Sequence, residues 1–166
     1  TGSPMYYAAR IAKEKYPDAK IVFVGPCVAK RKEAQRDEAV DFVMTFEEVS
    51  SIFDAFEVNL EIVQPYAMEF SSVREAHGFA QAGGVMGAVK AFLKMEADKI
   101  NAIQVSDLNK KNIGTLRAYA KSGKAPGQFI EVMACEGGCI TGPSTHSGSN
   151  GKRQLVQELA KQEKTY

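Results

Sequence analysis

The chain has 166 residues, 45% hydrophobic and 25% charged, enough apolar content for a sizeable core and too much for a disordered segment. Its formal net charge is +1. The densest basic run, Lys30-Arg31-Lys32, is diluted by Glu33, Asp37 and Glu38, which excludes a broad nucleic-acid-binding face. No apolar run reaches the roughly 20 residues that a membrane-spanning helix needs. The start of the chain lacks the basic-then-apolar pattern of a secretory signal. The 3 cysteines are an odd number set in Gly- and Pro-rich loops, unlike a secreted disulfide framework, so the expected compartment is reducing and cytoplasmic. The length fits one domain or two small lobes.

Ser3-Pro4 opens a helix, Ser3 as the N-cap and Pro4 in the first turn, and the helix ends near Tyr16-Pro17. Ile21-Val22-Phe23-Val24 is a short, fully apolar run, expected as a buried parallel strand. It ends at Gly25-Pro26-Cys27, so Cys27 lies just past a strand's carboxyl end, where open α/β sheets place ligands. Phe42-Val43-Met44 is a second strand. Thr45 and Glu48 have capping-box spacing and start a helix through Val49, Ile52, Phe53 and Phe56. Leu60 to Val63 reads as a short extended piece, and Gln64 to Gly84 as irregular. Gly84 to Met95 is expected to be a helix with Val85, Met86, Val89, Phe92 and Leu93 on one face.

Ala102 to Val105 is strand-like, Asn112 to Tyr119 helical up to Ser122-Gly123, and Gln128 to Met133 again a strand. Together they form a βαβ unit. Cys135 follows the last strand directly. Residues 137–151 read as a long loop and Lys152 to Lys161 as a closing helix. The alternation of strands and helices gives an α/β class.

The most informative segment is Val132-Met133-Ala134-Cys135-Glu136-Gly137-Gly138-Cys139-Ile140. Two cysteines flank a Gly-Gly turn, and glycines let backbone approach a bulky inorganic group closely. Thiolates suit iron–sulfur centres or zinc. Spacing alone leaves three readings open: plain buried or loop thiols, a zinc site completed by His77 or His146, or an iron–sulfur site. Gly83-Gly84 reads either as a helix entry turn or as backbone N–H groups facing an anionic ligand.

This segment resembles the last signature of the iron-only hydrogenase large-subunit catalytic domain. Gly25-Pro26-Cys27-Val28-Ala29-Lys30-Arg31-Lys32-Glu33 resembles the middle signature of that family. Phe79-Ala80-Gln81-Ala82-Gly83-Gly84-Val85-Met86 resembles a third stretch, and Ser3-Pro4 the pair preceding the middle signature. The resemblance implies short parallel sheets flanked by helices, in two lobes whose loops converge on a cluster site. It implies an H-cluster, a 4Fe-4S cubane linked to a two-iron subcluster. Cys27 and Cys135 would hold cubane irons, and Cys139 would bridge the cubane to the two-iron unit. Lys30 would donate to a cyanide ligand, and Met133 and Phe79 would wall the two-iron unit. The implied activity is reversible oxidation of H2, with a ferredoxin-like carrier or further iron–sulfur domains as electron partners.

In the family, a first cysteine loop precedes the Ser-Pro pair. Residues 1–166 are therefore expected to be the C-terminal part of the catalytic domain, inactive and without cofactor on their own, because a thiolate-held cubane needs four ligands. Two departures stand out. Gly25 replaces a Met beside the two-iron unit, and Thr141-Gly142-Pro143-Ser144 replaces Gly-Gly-Gly-Gln. Both resemble divergent, sensory members. The rival expectations are an iron–sulfur protein assembly factor and a ligand-free regulatory module.

Overall fold

The computed structural model describes residues 2–64, 66 and 73–162. Two compact units divide the chain: Thr1–Tyr66 with Pro143–His146, and Ala67–Gly142 with Ser147–Tyr166.

The first unit begins with α1 (Pro4–Lys15), for which Ser3 is the N-cap and accepts the Tyr6 N–H at 3.4 Å. Strand β1 (Val22–Gly25) and strand β2 (Phe42–Thr45) run parallel, Val22 opposite Phe42 and Gly25 opposite Thr45. Helix α2 (Ala29–Ala34) lies between them in the chain, and α3 (Phe46–Ala55) follows β2. Met5 and Ala9, one turn apart on α1, meet Val40 in the core, with Ile21, Phe23, Ala34, Ala39 and Val43 packed around them. Strand alternation sends Phe23 into this cluster and leaves Val22 and Val24 exposed. The expected fully buried strand is thus buried on one face. The capping box at α3 forms as its spacing predicts: Thr45 Oγ1 accepts the Glu48 N–H at 3.2 Å, and the Glu48 carboxylate accepts the Thr45 N–H at 2.7 Å. Leu60 to Val63 is not extended. The Asn59 side chain accepts the Glu61 N–H at 3.0 Å and curls the segment into a turn.

In the second unit, α4 (Arg74–His77) and a 3₁₀ turn (Gly78–Ala80) lead to α5 (Gly84–Leu93). Of the stretch expected to be irregular, residues 65 and 67–72 lie outside the described residues. Helix α5 stops at Leu93, and a second 3₁₀ segment (Lys94–Lys99) follows it. Strand β3 (Ala102–Ser106), α6 (Lys110–Ser122) and β4 (Phe129–Met133) form the expected βαβ unit, with the strands parallel and Ser106 opposite Met133. Asn109 caps α6, accepting the Asn112 N–H at 2.9 Å, and Gly123 ends it at φ 65°. The closing helix α7 (Gly148–Lys161) begins earlier than Lys152. The fold is therefore α/β, two short parallel strand pairs with flanking helices. Among the described residues no helix is long and apolar enough to cross a membrane.

Asp41 ties the first unit together. It accepts the Ile21 N–H at 2.8 Å and pairs with Lys20 at 2.9 Å and Lys13 at 3.4 Å. The Ile21 N–H bond, with the two lysines behind it, holds the carboxyl down from its ordinary 3.8 to about 2. A depressed carboxyl pKa contributes stability above the unfolded value and loses it as pH falls. The urea midpoint of the first unit's transition is therefore expected to drop as pH is lowered from 3.8 toward about 2. Asp41→Asn should lower the neutral-pH midpoint and flatten that slope, as circular dichroism at each pH would record.

Candidate functional site

In the first unit β1 delivers Gly25-Pro26-Cys27 beyond its carboxyl end, and the Cys27 carbonyl accepts the Lys30 N–H at 3.2 Å as the chain turns into α2. Cys27 is half-buried. Lys30, three residues on, lies on α2 with its Nζ 2.5 Å from Glu33 Oε2. Glu33 Oε1 accepts from the Ser3 hydroxyl, the same oxygen that caps α1. Partial burial works to raise the Glu33 pKa, but the bonds from Lys30 and Ser3 outweigh it and lower the pKa below 4.5. The lysine of the middle motif is thus held in an ion pair, with its side chain only 18% exposed. Gly25 lies against Phe23, whose ring atoms would stand 2.7 Å from a Cβ placed there.

In the second unit β4 ends at Met133, buried at 9% exposure, and Cys135 and Cys139 follow, both half-buried. The turn between them is closed by the Gly138 N–H donating to the Cys135 carbonyl at 3.1 Å. Gly137 and Gly138 take φ values of 81° and 104°. At Gly138 a Cβ would meet Ala82 N at 2.4 Å and Ala80 O at 2.7 Å. The Ala82 N–H also donates to the Gly137 carbonyl at 3.0 Å. The third motif and the cysteine turn, more than 50 residues apart along the chain, are therefore in backbone contact. Phe79, partly buried, lies in the 3₁₀ turn just before this contact.

Sequence reasoning missed Glu131. It is 5% exposed in the middle of β4, and its carboxylate accepts the Gly83 N–H and, at 2.6 Å, the Met86 N–H at the start of α5. Of the expected Gly83-Gly84 pair, the Gly83 N–H faces a carboxylate, the chain's own Glu131, together with the Met86 N–H, while the Gly84 N–H closes the helix entry turn by donating to the Gln81 carbonyl at 3.0 Å. Nothing local in Ile130-Glu131-Val132 signals this, because the partner lies 48 residues away.

The donor chemistry fits an iron–sulfur group. Cys135 and Cys139 offer soft sulfur on a turn whose glycines carry no side chains. His77 Nδ1 is 2.9 Å from Gln162 Oε1. Among the described residues, no group of three or more His, Cys, Asp or Glu side chains is gathered as a metal-holding cluster.

The chain is thus an α/β protein with cysteine-bearing loops at the carboxyl ends of parallel strands. The profile of the family described as iron only hydrogenase large subunit, C-terminal domain, matches residues 1–143, and the chain belongs to that family. The nuclear prelamin A recognition factor of Danio rerio is 27% identical over 181 residues, covering 83% of this chain and 39% of the relative. The cytosolic Fe-S cluster assembly factor narfl of Danio rerio is 28% identical over 188 residues, covering 86% of this chain and 46% of the relative. Iron hydrogenase 1 of Clostridium pasteurianum is 28% identical over 190 residues, covering 84% and 32%. The chain thus spans less than half the length of these relatives. A solved structure concerned with stepwise FeFe-hydrogenase H-cluster assembly aligns with TM-score 0.56 at 21% identity, covering 93% of this chain and 57% of that one. Another, concerned with oxygen inactivation of FeFe-hydrogenase, aligns with TM-score 0.62 at 20% identity, covering 98% and 58%. At these identities the likeness is of fold.

Two substitutions test the second unit. Gly138→Ala places a methyl against the Ala80–Ala82 backbone at a strongly positive φ and is expected to cost about 2 kcal/mol or more. Glu131→Gln replaces one accepting oxygen by a donor facing a helix N-terminus, with an expected cost of about 2 kcal/mol. Urea denaturation reads both, and a loss below a few tenths of a kcal/mol would contradict the contacts described.

Proposed function

We propose that Cys27, Cys135 and Cys139 are thiolate ligands of an iron–sulfur centre, and that the intact protein uses it for hydrogen chemistry, either turnover or sensing. The observation that carries this reading is the Cys135–Cys139 turn, whose conformation is fixed by backbone contact with the Phe79–Met86 motif. In the fuller form, Cys27 and Cys135 would hold a 4Fe-4S cubane, and Cys139 would be the thiolate that joins it to a two-iron subcluster. When bound, that group supplies the redox and hydrogen-splitting chemistry, and the protein supplies position and electrostatics.

Lys30 keeps a cation beside the middle-motif cysteine. Glu33 takes one of its three N–H donors, which leaves two for an anionic ligand such as cyanide. Met133 and Phe79 contribute apolar walls that exclude water. The Phe23 ring lies beside Gly25, so the apolar cover a Met would give at that position comes from the strand itself. This rearrangement supports a divergent, sensory member over a fast bidirectional enzyme. Electrons pass to a ferredoxin-like carrier or to further iron–sulfur domains, and the compartment is cytoplasmic.

A second reading is iron–sulfur protein assembly. Its support is that several relatives, among them narfl of Danio rerio, are named as cytosolic Fe-S cluster assembly factors. Anaerobic production of the full-length protein with the family's maturation machinery, followed by infrared spectroscopy, separates the two. The hydrogen reading expects bands of metal-bound CO and cyanide. Their absence at full iron loading overturns it in favour of assembly.

A further inference from the structure

Ser106 ends β3, opposite Met133 in the sheet. Its hydroxyl donates to the Cys135 carbonyl at 3.3 Å and accepts the Gly137 N–H at 3.0 Å. The chain beyond β3 extends the ladder: the Asp107 N–H donates to the Met133 carbonyl at 3.0 Å and the Leu108 N–H to the Ala134 carbonyl at 3.1 Å. Asn112, in the first turn of α6, holds this extension by donating to the Ser106 carbonyl at 3.3 Å and the Asp107 carbonyl at 2.7 Å. A bracket built from β3 and α6 thus grips Met133, Ala134, Cys135 and Gly137.

The grip matters because of what it holds. Glu136 and two consecutive glycines separate the two cysteines, and glycine has little conformational preference of its own. The Gly138 N–H bond closes the turn from within. The Ser106 hydroxyl fixes it from outside at two points, the carbonyl of one cysteine and the amide two residues on. From this geometry we propose that Ser106 is a positioning residue for iron ligation: it sets the backbone from which Cys135 and Cys139 present their sulfurs. The inference rests on the reading of those cysteines as ligands. Ser106 acts through their backbone and touches no iron. Groups that orient metal ligands typically change metal affinity 10–100-fold, and the lower end of that range applies to a group one step further out.

The test uses the full-length protein, reconstituted anaerobically with ferrous iron, sulfide and thiol. Ser106→Ala removes both bonds, and Ser106→Thr keeps the hydroxyl on a residue suited to a strand end. Ser106→Ala should release iron to a ferrous chelator about tenfold faster than wild type. Its reduced cluster should give a shifted electron paramagnetic resonance spectrum, and Ser106→Thr should restore both. A role confined to overall stability would lower the melting temperature and leave the spectrum unmoved. In the metal-free protein, the Gly137 amide should exchange about fivefold faster in Ser106→Ala, as loss of one hydrogen bond implies. Unchanged iron release and spectrum in Ser106→Ala, with wild type loaded, overturn the proposal. Unchanged Gly137 exchange also overturns it, whatever the iron does. A wild type that takes up no iron overturns instead the ligand reading on which it rests.

Discussion

At Gly138 the cysteine turn passes so close to the backbone of Ala80 to Ala82 that a single methyl group would not fit. Much of the second unit depends on this approach. It requires a residue without a side chain at a strongly positive φ, and it joins two segments that the sequence separates widely. The Ala82 N–H secures it by donating to Gly137, so the turn and the Phe79–Met86 motif hold one another in place. From there the dependence runs to α5. Its N-cap Gly83 and its third residue, Met86, donate their N–H groups to Glu131, a carboxylate on the strand that also delivers Cys135. These contacts join α5, β4 and the Phe79–Met86 motif to the backbone that carries the two thiols.

Features governed by nearest neighbours were legible in the sequence. Thr45 and Glu48 form their capping box, Ser3 caps α1, and the β3–α6–β4 unit has the expected order. Helix α2 has no local signature, because Ala29-Lys30-Arg31-Lys32-Glu33-Ala34 has no apolar period to mark it. Leu60 to Val63 looked extended from its apolar residues, while the Asn59 side chain decided the local geometry. The three cysteines, Lys30, Phe79 and Met133 were singled out as expected ligands and site residues through family resemblance. Glu131 and Ser106 were not, because each acts through a partner 29 or more residues distant, and no local pattern encodes that.

The two units treat their cysteines alike. In each, a parallel strand ends just before the cysteine loop, and a charged or polar side chain fixes the backbone or the cation next to it. In the first unit this is Glu33, joining Ser3 to Lys30. In the second it is Glu131 and Ser106. Family membership establishes the domain type, while the relatives include a hydrogenase, proteins named for cluster assembly and one named for prelamin A recognition. Gly25, with the Phe23 ring against it, lies two residues before Cys27.

The proposed function requires iron bound through cysteine sulfur. Mössbauer spectroscopy of the anaerobically purified full-length protein, compared with its Cys135→Ala, Cys139→Ala double variant, addresses it most directly. The account predicts sulfur-coordinated cluster iron in the wild type and its loss from the variant, with the fold retained. An identical cluster signal in the variant, or no sulfur-coordinated iron in a fully reconstituted wild type, would contradict it.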